Sequence, residues 1–592
     1  MSTTVKPTEK GTAFLTTPVS ESADKIFTLE QRDEEQRWIE ETSSAFIARE
    51  VLPRAEAIDH QEPGLVPGLL KKAGEQGLLS IDVPEEFGGT ELGLLVSALV
   101  GSTMREASFS TAFGAHTTIG TLPIVFYGNE EQKRKYLPKL TSGEWIAAYA
   151  LTEPGVGSDA MHLSTRAELS DDGKYYILNG TKQWISNAGF ADMMIVFARI
   201  GDNRPSAFIV EANWPGVSTG AEERKMGIKG SSTRQVYFEN VKVPVENMLG
   251  EIHRGYKIAF NILNIGRLKL GAGAVGGARA ALGMAATYST ERKAFGKYIS
   301  EFGMIRKKLA RMAAETYAAE SEVFRTADNI EQARRSASDT EGQFKAIEEY
   351  AVEASIAKVH GSEVLSMVVD EGVQIFGGYG FMQEYPIEKA YRDARIQRIY
   401  EGTNEINRLV ASGTLFRRVM SGKIPLMAQY PTIEANVTSG TAPDRAGDIP
   451  EALREAVNAV ERAKDATIYT AMKAAMKYMQ ALENEEEFIE YLANLLIDIY
   501  ASDSALARAV QAARRGDANA DIHVKLAQLA TWLAFNRIRS NLDQVIATNF
   551  NESEIQEELP RVRAYLGDYL VNGVVLQREI ADLVVQKQGY PL

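Results

Sequence analysis

The sequence predicts a mainly α-helical chain with a small β-domain at its centre and an added helical domain in its last quarter. Three observations carry that expectation. Apolar residues recur at helical spacing over residues 28–146 and again over 251–422. Between them, over 147–250, the period changes to short β-type runs separated by turn residues. After residue 422 the composition shifts to Pro, Gly, Ser and Thr over 423–450, which reads as a linker, and amphipathic helical patterning resumes over 451–592. At 592 residues the chain is too long for one hydrophobic core and needs several domains.

Composition narrows the chemistry. With 45% hydrophobic and 24% charged residues the chain is of ordinary soluble globular type. A formal charge of -14 without a long Lys/Arg run excludes non-specific nucleic-acid binding, which needs a basic face for phosphate. The absence of cysteine excludes disulfides, thiolate nucleophiles and Cys-ligated zinc or iron–sulfur centres, and the six histidines form no HExxH-like pair, so no metal is expected. Redox chemistry then calls for an organic cofactor. Residues 1–27 carry neither an apolar secretion core nor an Arg-rich import pattern, and they read as a flexible arm on a cytoplasmic protein.

Within 28–146, Leu29–Val51 and Pro63–Leu79 are amphipathic, and the PEEFGG string at Pro84–Gly89 ends one helix before the next begins. Leu94–Met104 and Ala107–Gly120 are apolar on nearly all sides, which predicts buried helices. Ser108, Ser110 and Ala112 are small there, and either leave a pocket deep or let helices pack closely. In the β-domain, Tyr175–Leu178, Met193–Ala198, Ala207–Val210 and Gln235–Phe238 are the strand runs. The loop after Leu151, with Gly155 and Gly157, allows close backbone approach to a ligand. Trp184, a lone Trp in a strand, defaults to a core aromatic.

The helical stretch 251–422 contains YRDARIQRIYEGTNEINRLV at Tyr391–Val410. Arg-rich helical spacing is interrupted at Glu401-Gly402-Thr403 before a second helical pattern starts at Ile406, so Glu401 falls at a helix junction with Thr403 as a cap. A carboxylate directed by the backbone beside free helix N–H groups suits a general base; the bland alternative is an ion pair with Arg398 or Arg408 on a solvated face.

Five strings occur in a fixed order: PEEFGG, YALTEPGVGSDA at Tyr149–Ala160, KQWISNAG at Lys182–Gly189, ERKAFGK at Glu291–Lys297 and RIQRIYEGTNEI at Arg395–Ile406. Through them the chain resembles the acyl-CoA dehydrogenase family over residues 40–420. The resemblance implies Glu401 as catalytic base, with Gly266 at the place where some subfamilies carry theirs. It implies FAD, with Tyr149, Leu151, Thr152, Gly157, Trp184 and Ser186 beside the flavin. Ser186 stands where Thr is commoner and keeps the hydroxyl. Arg292 would reach the pyrophosphate and Phe295 the adenine of an FAD held mainly by a neighbouring subunit, with Gln374 and Gly378 contributed across that interface. Thr403 and Glu405 complete the cofactor set. Ser158, Arg267, Gly402, Ser108 and Ser110 fall on the acyl-CoA side.

The implied reaction is oxidation of a fatty acyl-CoA to a trans-2-enoyl-CoA in fatty acid β-oxidation, with electrons passing to an electron-transferring flavoprotein. The extension 451–592, and FGMIRKKLARM at Phe302–Met312, resemble the very-long-chain branch and point to long acyl groups. Two rivals follow from the same resemblance: an acyl-CoA oxidase, distinguished by rapid reoxidation in air, and an assembly or scaffold factor, distinguished by purification without FAD. A shared flavin site implies a homo-oligomer, and an extra helical domain covering the surface that pairs dimers makes a homodimer the expectation. Leu415–Met427 mixes Arg417, Arg418 and Lys423 with apolar residues, so peripheral membrane contact is the less favoured alternative to a solvated helix end.

Overall fold

A computed structural model describes residues 9–592, which form two compact units. One comprises 33–276 with 392–396; the other comprises 9–32, 277–391 and 397–592.

The first unit holds the expected N-terminal helices and the β-domain. Asp33 caps the helix Glu34–Phe46, accepting from the Gln36 N–H at 2.8 Å while the Gln36 side chain accepts from the Asp33 N–H at 3.2 Å. Asn129 and Gln132 start Glu130–Thr141 in the same reciprocal way. Leu94–Thr103 is buried on nearly every side, as its uniform apolarity predicts, and Phe46, Ile58, Leu70, Val100 and Phe109 share its core.

The sheet contains β1 (Ala147–Ala150), β2 (Arg166–Leu169), β3 (Tyr175–Ser186), β4 (Met193–Arg199), β5 (Pro205–Glu211), β6 (Val217–Thr219), β7 (Thr233–Pro244) and β8 (Met248–Leu249). Their order is β6-β7-β3-β2-β4-β5-β8, with β1 parallel to β4. β4 and β5 are buried along nearly their whole length, which requires cover on both faces. His116 fixes the start of β1: its Nδ1 accepts from the Ala147 N–H at 3.0 Å, and its Nε2 lies 2.9 Å from the Leu140 carbonyl. Burial pushes this imidazole down to about 4, so it works here as a neutral ring with one donor and one acceptor.

The second unit is helical. Gly303–Arg335, Ala351–Phe376 and Asn404–Met420 pack with Glu486–Arg515, and Ala520–Asn549 joins them. The region 451–592 supplies five helices, and they share one compact unit with the bundle.

Two expectations are corrected here. Over the described part of the arm, residues 9–27 are packed: Val19–Lys25 is a helix, and Phe14, Val19 and Ala23 are buried. Residues 1–8 of that arm lie outside the described residues. Arg325 explains the packing: its guanidinium bonds the Glu9 carboxylate at 2.6 Å and Asp503 at 2.5 Å, with all three side chains at 5% exposure or less. The stretch 423–450 is likewise more than a linker. Leu426–Ser439 is a helix despite Pro431, with Tyr430, Ile433 and Val437 buried, and Arg445 forks onto Asp465 through two 2.9 Å bonds.

Leu415, Val419, Ile424 and Leu426 are buried, and Arg418 donates to the backbone carbonyls of Glu348 and Glu349, while Met420 and Met427 stay exposed. Among the described residues no helix is long and apolar enough to cross a membrane.

Candidate active site

In the first unit, β1, β3 and the loop after β1 bring one group of expected residues together. Tyr149 packs edge-on against Phe197, with ring centroids 5.0 Å apart. The Thr152 carbonyl accepts from the Gln183 N–H at 2.9 Å, which joins the LTEPG and KQWIS strings through their backbones. β3 carries one extra residue against β7: Lys182 faces Val236 and Ile185 faces Arg234. This bulge puts Trp184 at φ +57° and leaves it 59% exposed, so the core-aromatic reading fails. Asn187, also left-handed at φ +65°, donates to the Ala112 carbonyl at 2.9 Å and ties this segment to the helix of Ser108 and Ser110. Ser108 is buried and Ser110 half-buried. Ser158 is exposed, and Cβ atoms at Gly155 or Gly157 would meet open space.

Beneath the loop lies an ion pair that neither string announced as functional. Lys182 and Glu153, both with fully buried side chains, meet at 2.8 Å, and Lys182 also donates to the Leu151 carbonyl at 3.0 Å. Burial pushes the Glu153 carboxyl up, but the Lys182 ammonium and bonds from Ser164 and Thr165 hold it down at about 2. Burial also lowers Lys182 to about 8, which leaves it protonated at neutral pH. The pair stakes the loop to β3. Its signal in the sequence was a Lys at an inward-facing strand position, which only a buried partner satisfies.

Arg267 is buried within the helix Gly255–Glu291 and donates to the Asn264 side chain at 3.0 Å, with Gly266 beside it.

The second unit holds two further groups. Glu401 follows the short 3-10 turn Arg395–Arg398 and precedes Asn404–Met420, the expected junction. Thr403 caps the later helix, accepting from the Ile406 N–H at 3.2 Å. Glu401 stands at φ +56° and Gly402 at φ +79°, two left-handed residues in succession, which a Glu adopts only under constraint. Arg408, one of the imagined ion-pair partners, instead forks onto Glu363 at 2.9 and 3.0 Å and bonds Asn494 at 2.8 Å. At the start of the same helix, Glu405 has its carboxyl held below the usual range by its own backbone N–H and by Thr403.

Arg292 and Gly378 form the other group. Arg292 lies 5.5 Å from the Tyr379 ring centre and, with Gly378, lines a cleft of about 410 Å³ floored by stacked Tyr288 and Phe376 rings 4.0 Å apart. Phe295, at the tip of a two-residue hairpin with φ +51°, is 97% exposed. Gln374 is exposed on the helix leading to the same cleft.

Comparison with known proteins accounts for this arrangement. Family models described as the N-terminal, middle and C-terminal domains of acyl-CoA dehydrogenase match residues 33–144, 148–241 and 253–415, and another acyl-CoA dehydrogenase C-terminal domain matches 462–563. A probable acyl-CoA dehydrogenase of Bacillus subtilis is 42% identical over 98% of both chains. The human mitochondrial very long-chain specific acyl-CoA dehydrogenase is 38% identical over 79% of this chain and 73% of its own. The crystal structure of an acyl-CoA dehydrogenase complexed with FAD from Bacillus anthracis superposes with a TM-score of 0.95, at 44% identity, over 99% of this chain and all of that one.

The fold and these relatives define an FAD-dependent oxidoreductase. The chain belongs to the acyl-CoA dehydrogenase family. Its own surfaces fit that cofactor: displayed aromatic rings at Trp184 and Phe295, an Arg at a cleft, and glycines beside open space at 157, 377 and 378.

Proposed function

We propose that this chain oxidises long-chain fatty acyl-CoA to trans-2-enoyl-CoA in cytoplasmic fatty acid β-oxidation, with Glu401 as the base and an electron-transferring flavoprotein as the acceptor. The observation that carries the reading is Glu401 itself, a left-handed carboxylate at a capped helix junction. FAD, when bound, would supply the acceptor for the hydride that leaves the β-carbon. The α-proton goes to the Glu401 carboxylate. A carboxylate of ordinary pKa, about 4.3, is too weak a base for a thioester α-proton, and two effects close the gap. The Glu401 backbone N–H donates to the thioester oxygen, where enolate charge grows, and the acyl chain expels water, which raises the basicity of the carboxylate. Strain at this residue fixes the direction of the carboxylate before substrate arrives.

Similarity to a very long-chain specific enzyme and the small Ser108 and Ser110 support long acyl groups. Turnover of an acyl-CoA series with an artificial electron acceptor should peak at long chains. Ser110→Leu should shift the optimum to shorter ones, with each excluded methylene losing about 0.8 kcal/mol of burial. An unchanged profile places that helix face away from the acyl tail, and a short-chain optimum overturns the long-chain reading. The five helices of 451–592 support a homodimer over the larger assembly that shorter chains would need. Light scattering at micromolar concentration should give twice the 65.1 kDa chain mass, and a tetramer there refutes it.

A further inference from the structure

Lys358 sits on the helix Ala351–Phe376 with no exposed surface, a place where an ammonium is costly unless its hydrogen bonds are met. Its Nζ donates to the Gly402 carbonyl at 2.8 Å and to the Asn404 side-chain oxygen at 2.7 Å. The same Gly402 carbonyl accepts a second bond, from the Asn407 amide at 2.8 Å, and that amide also donates to the Thr403 carbonyl at 3.0 Å. Asn404 in turn donates to Glu363 at 3.0 Å, so the cation stands in a built polar cluster directly behind the left-handed pair Glu401-Gly402.

That pair is intrinsically unfavourable for Glu401, and something outside the turn must hold it. A charged donor and an amide converging on one carbonyl do this better than neutral bonds, because the charge-assisted bond is the stronger and the low-polarity surroundings strengthen both. We propose that Lys358 is the positioning residue of the base: by pinning the Gly402 carbonyl it keeps the Glu401 carboxylate and backbone N–H aimed at the substrate. The inference rests on the reading of Glu401 as base. A purely structural role, a polar tie between two helices, would show up in stability and leave proton removal untouched.

The test uses the FAD-loaded enzyme and an acyl-CoA whose β-carbon is replaced by sulfur, so that the α-proton can leave while no hydride can. Deuterium uptake from heavy water at the α-carbon then reads the base alone. Lys358→Met should slow this uptake by about a hundredfold, with KM for an ordinary acyl-CoA changed less than about twofold, because misdirection by about an ångström costs that much rate. Lys358→Arg, which keeps a charged donor, should recover most of the loss. Where Lys358→Met fails to fold, Asn407→Leu removes the second donor from the same carbonyl and should slow uptake by about tenfold. Uptake at the parent rate per bound FAD, with or without a lower melting temperature, overturns the proposal. Glu401→Gln run alongside separates the two readings: if it too exchanges at the parent rate, the base assignment falls first.

Discussion

Glu401→Gln should retain FAD and bind acyl-CoA, yet reduce its flavin at least about a thousandfold more slowly, within the range that a positioned general base contributes. The substitution is close to isosteric. It keeps the left-handed turn at φ +56°, the Thr403 cap and the two bonds to the Gly402 carbonyl, and takes away only the charge that accepts the proton. A companion variant separates geometry from chemistry. Glu401→Gly loses the base as well, but places at this position the residue that adopts left-handed backbone without penalty, so it should be more stable by on the order of 1 kcal/mol. A variant pair that is equally slow, with Gly the more stable, is the signature of a strained residue kept for its carboxylate. Flavin reduction by Glu401→Gln within tenfold of the parent would sink the assignment.

The largest stability effect is expected at Arg325. Its guanidinium bonds Glu9, Asp503 and Ser504, lies 5.1 Å from the centre of the Tyr500 ring, and has no exposed side-chain surface. Asp503 also faces Lys464 at 2.6 Å, and Lys464 bonds Glu461 at 2.8 Å and the Thr17 carbonyl at 2.9 Å. Arg325→Met leaves the Glu9 carboxylate buried without its cation and should lower stability to urea by about 3–5 kcal/mol. The triple variant with Glu9→Gln and Asp503→Asn should regain much of that, because neutral amides are far cheaper to bury than unpaired carboxylates. For contrast, Lys345 and Glu341 form an exposed pair at 2.9 Å, with side chains 71% and 77% exposed, and Lys345→Ala should leave the urea midpoint nearly unchanged. Equal effects at the two sites would mean that the buried network contributes nothing specific.

Local pattern made the domain order legible, along with the buried helix Leu94–Thr103, the Thr403 cap and the junction at Glu401, because each depends on neighbours within a few residues. Three things escaped it for one reason. Glu9 looks like a solvated residue of a polar arm, and Thr28 and Glu30 like the start of the N-terminal helical domain, until Arg325, Gln511 and Arg508 are set beside them. Lys182 and Glu153 sit in two familiar strings whose pairing is a matter of strand register. The positive φ values at Trp184, Phe295 and Glu401 belong to residue types that do not announce them, unlike the glycines at 377 and 402. In each case the constraint lies outside the few residues that local pattern can read.

The segment 9–32 carries a timing problem. Glu30 bonds Arg508 and Thr28 bonds Gln511, partners 478 and 483 residues later in the chain. At roughly 5–20 residues per second of synthesis, those partners leave the ribosome about half a minute to a minute and a half after the segment does. Glu9 can meet Arg325 after 316 residues, but Thr28 and Glu30 lack their partners through the whole of that interval. A strongly apolar segment would recruit chaperones or aggregate, whereas one studded with Glu9, Lys10, Glu21, Asp24 and Glu30 stays hydrated until the last helices arrive. The polarity that disguises much of the segment as a loose arm is what lets it wait for partners made far later in the chain.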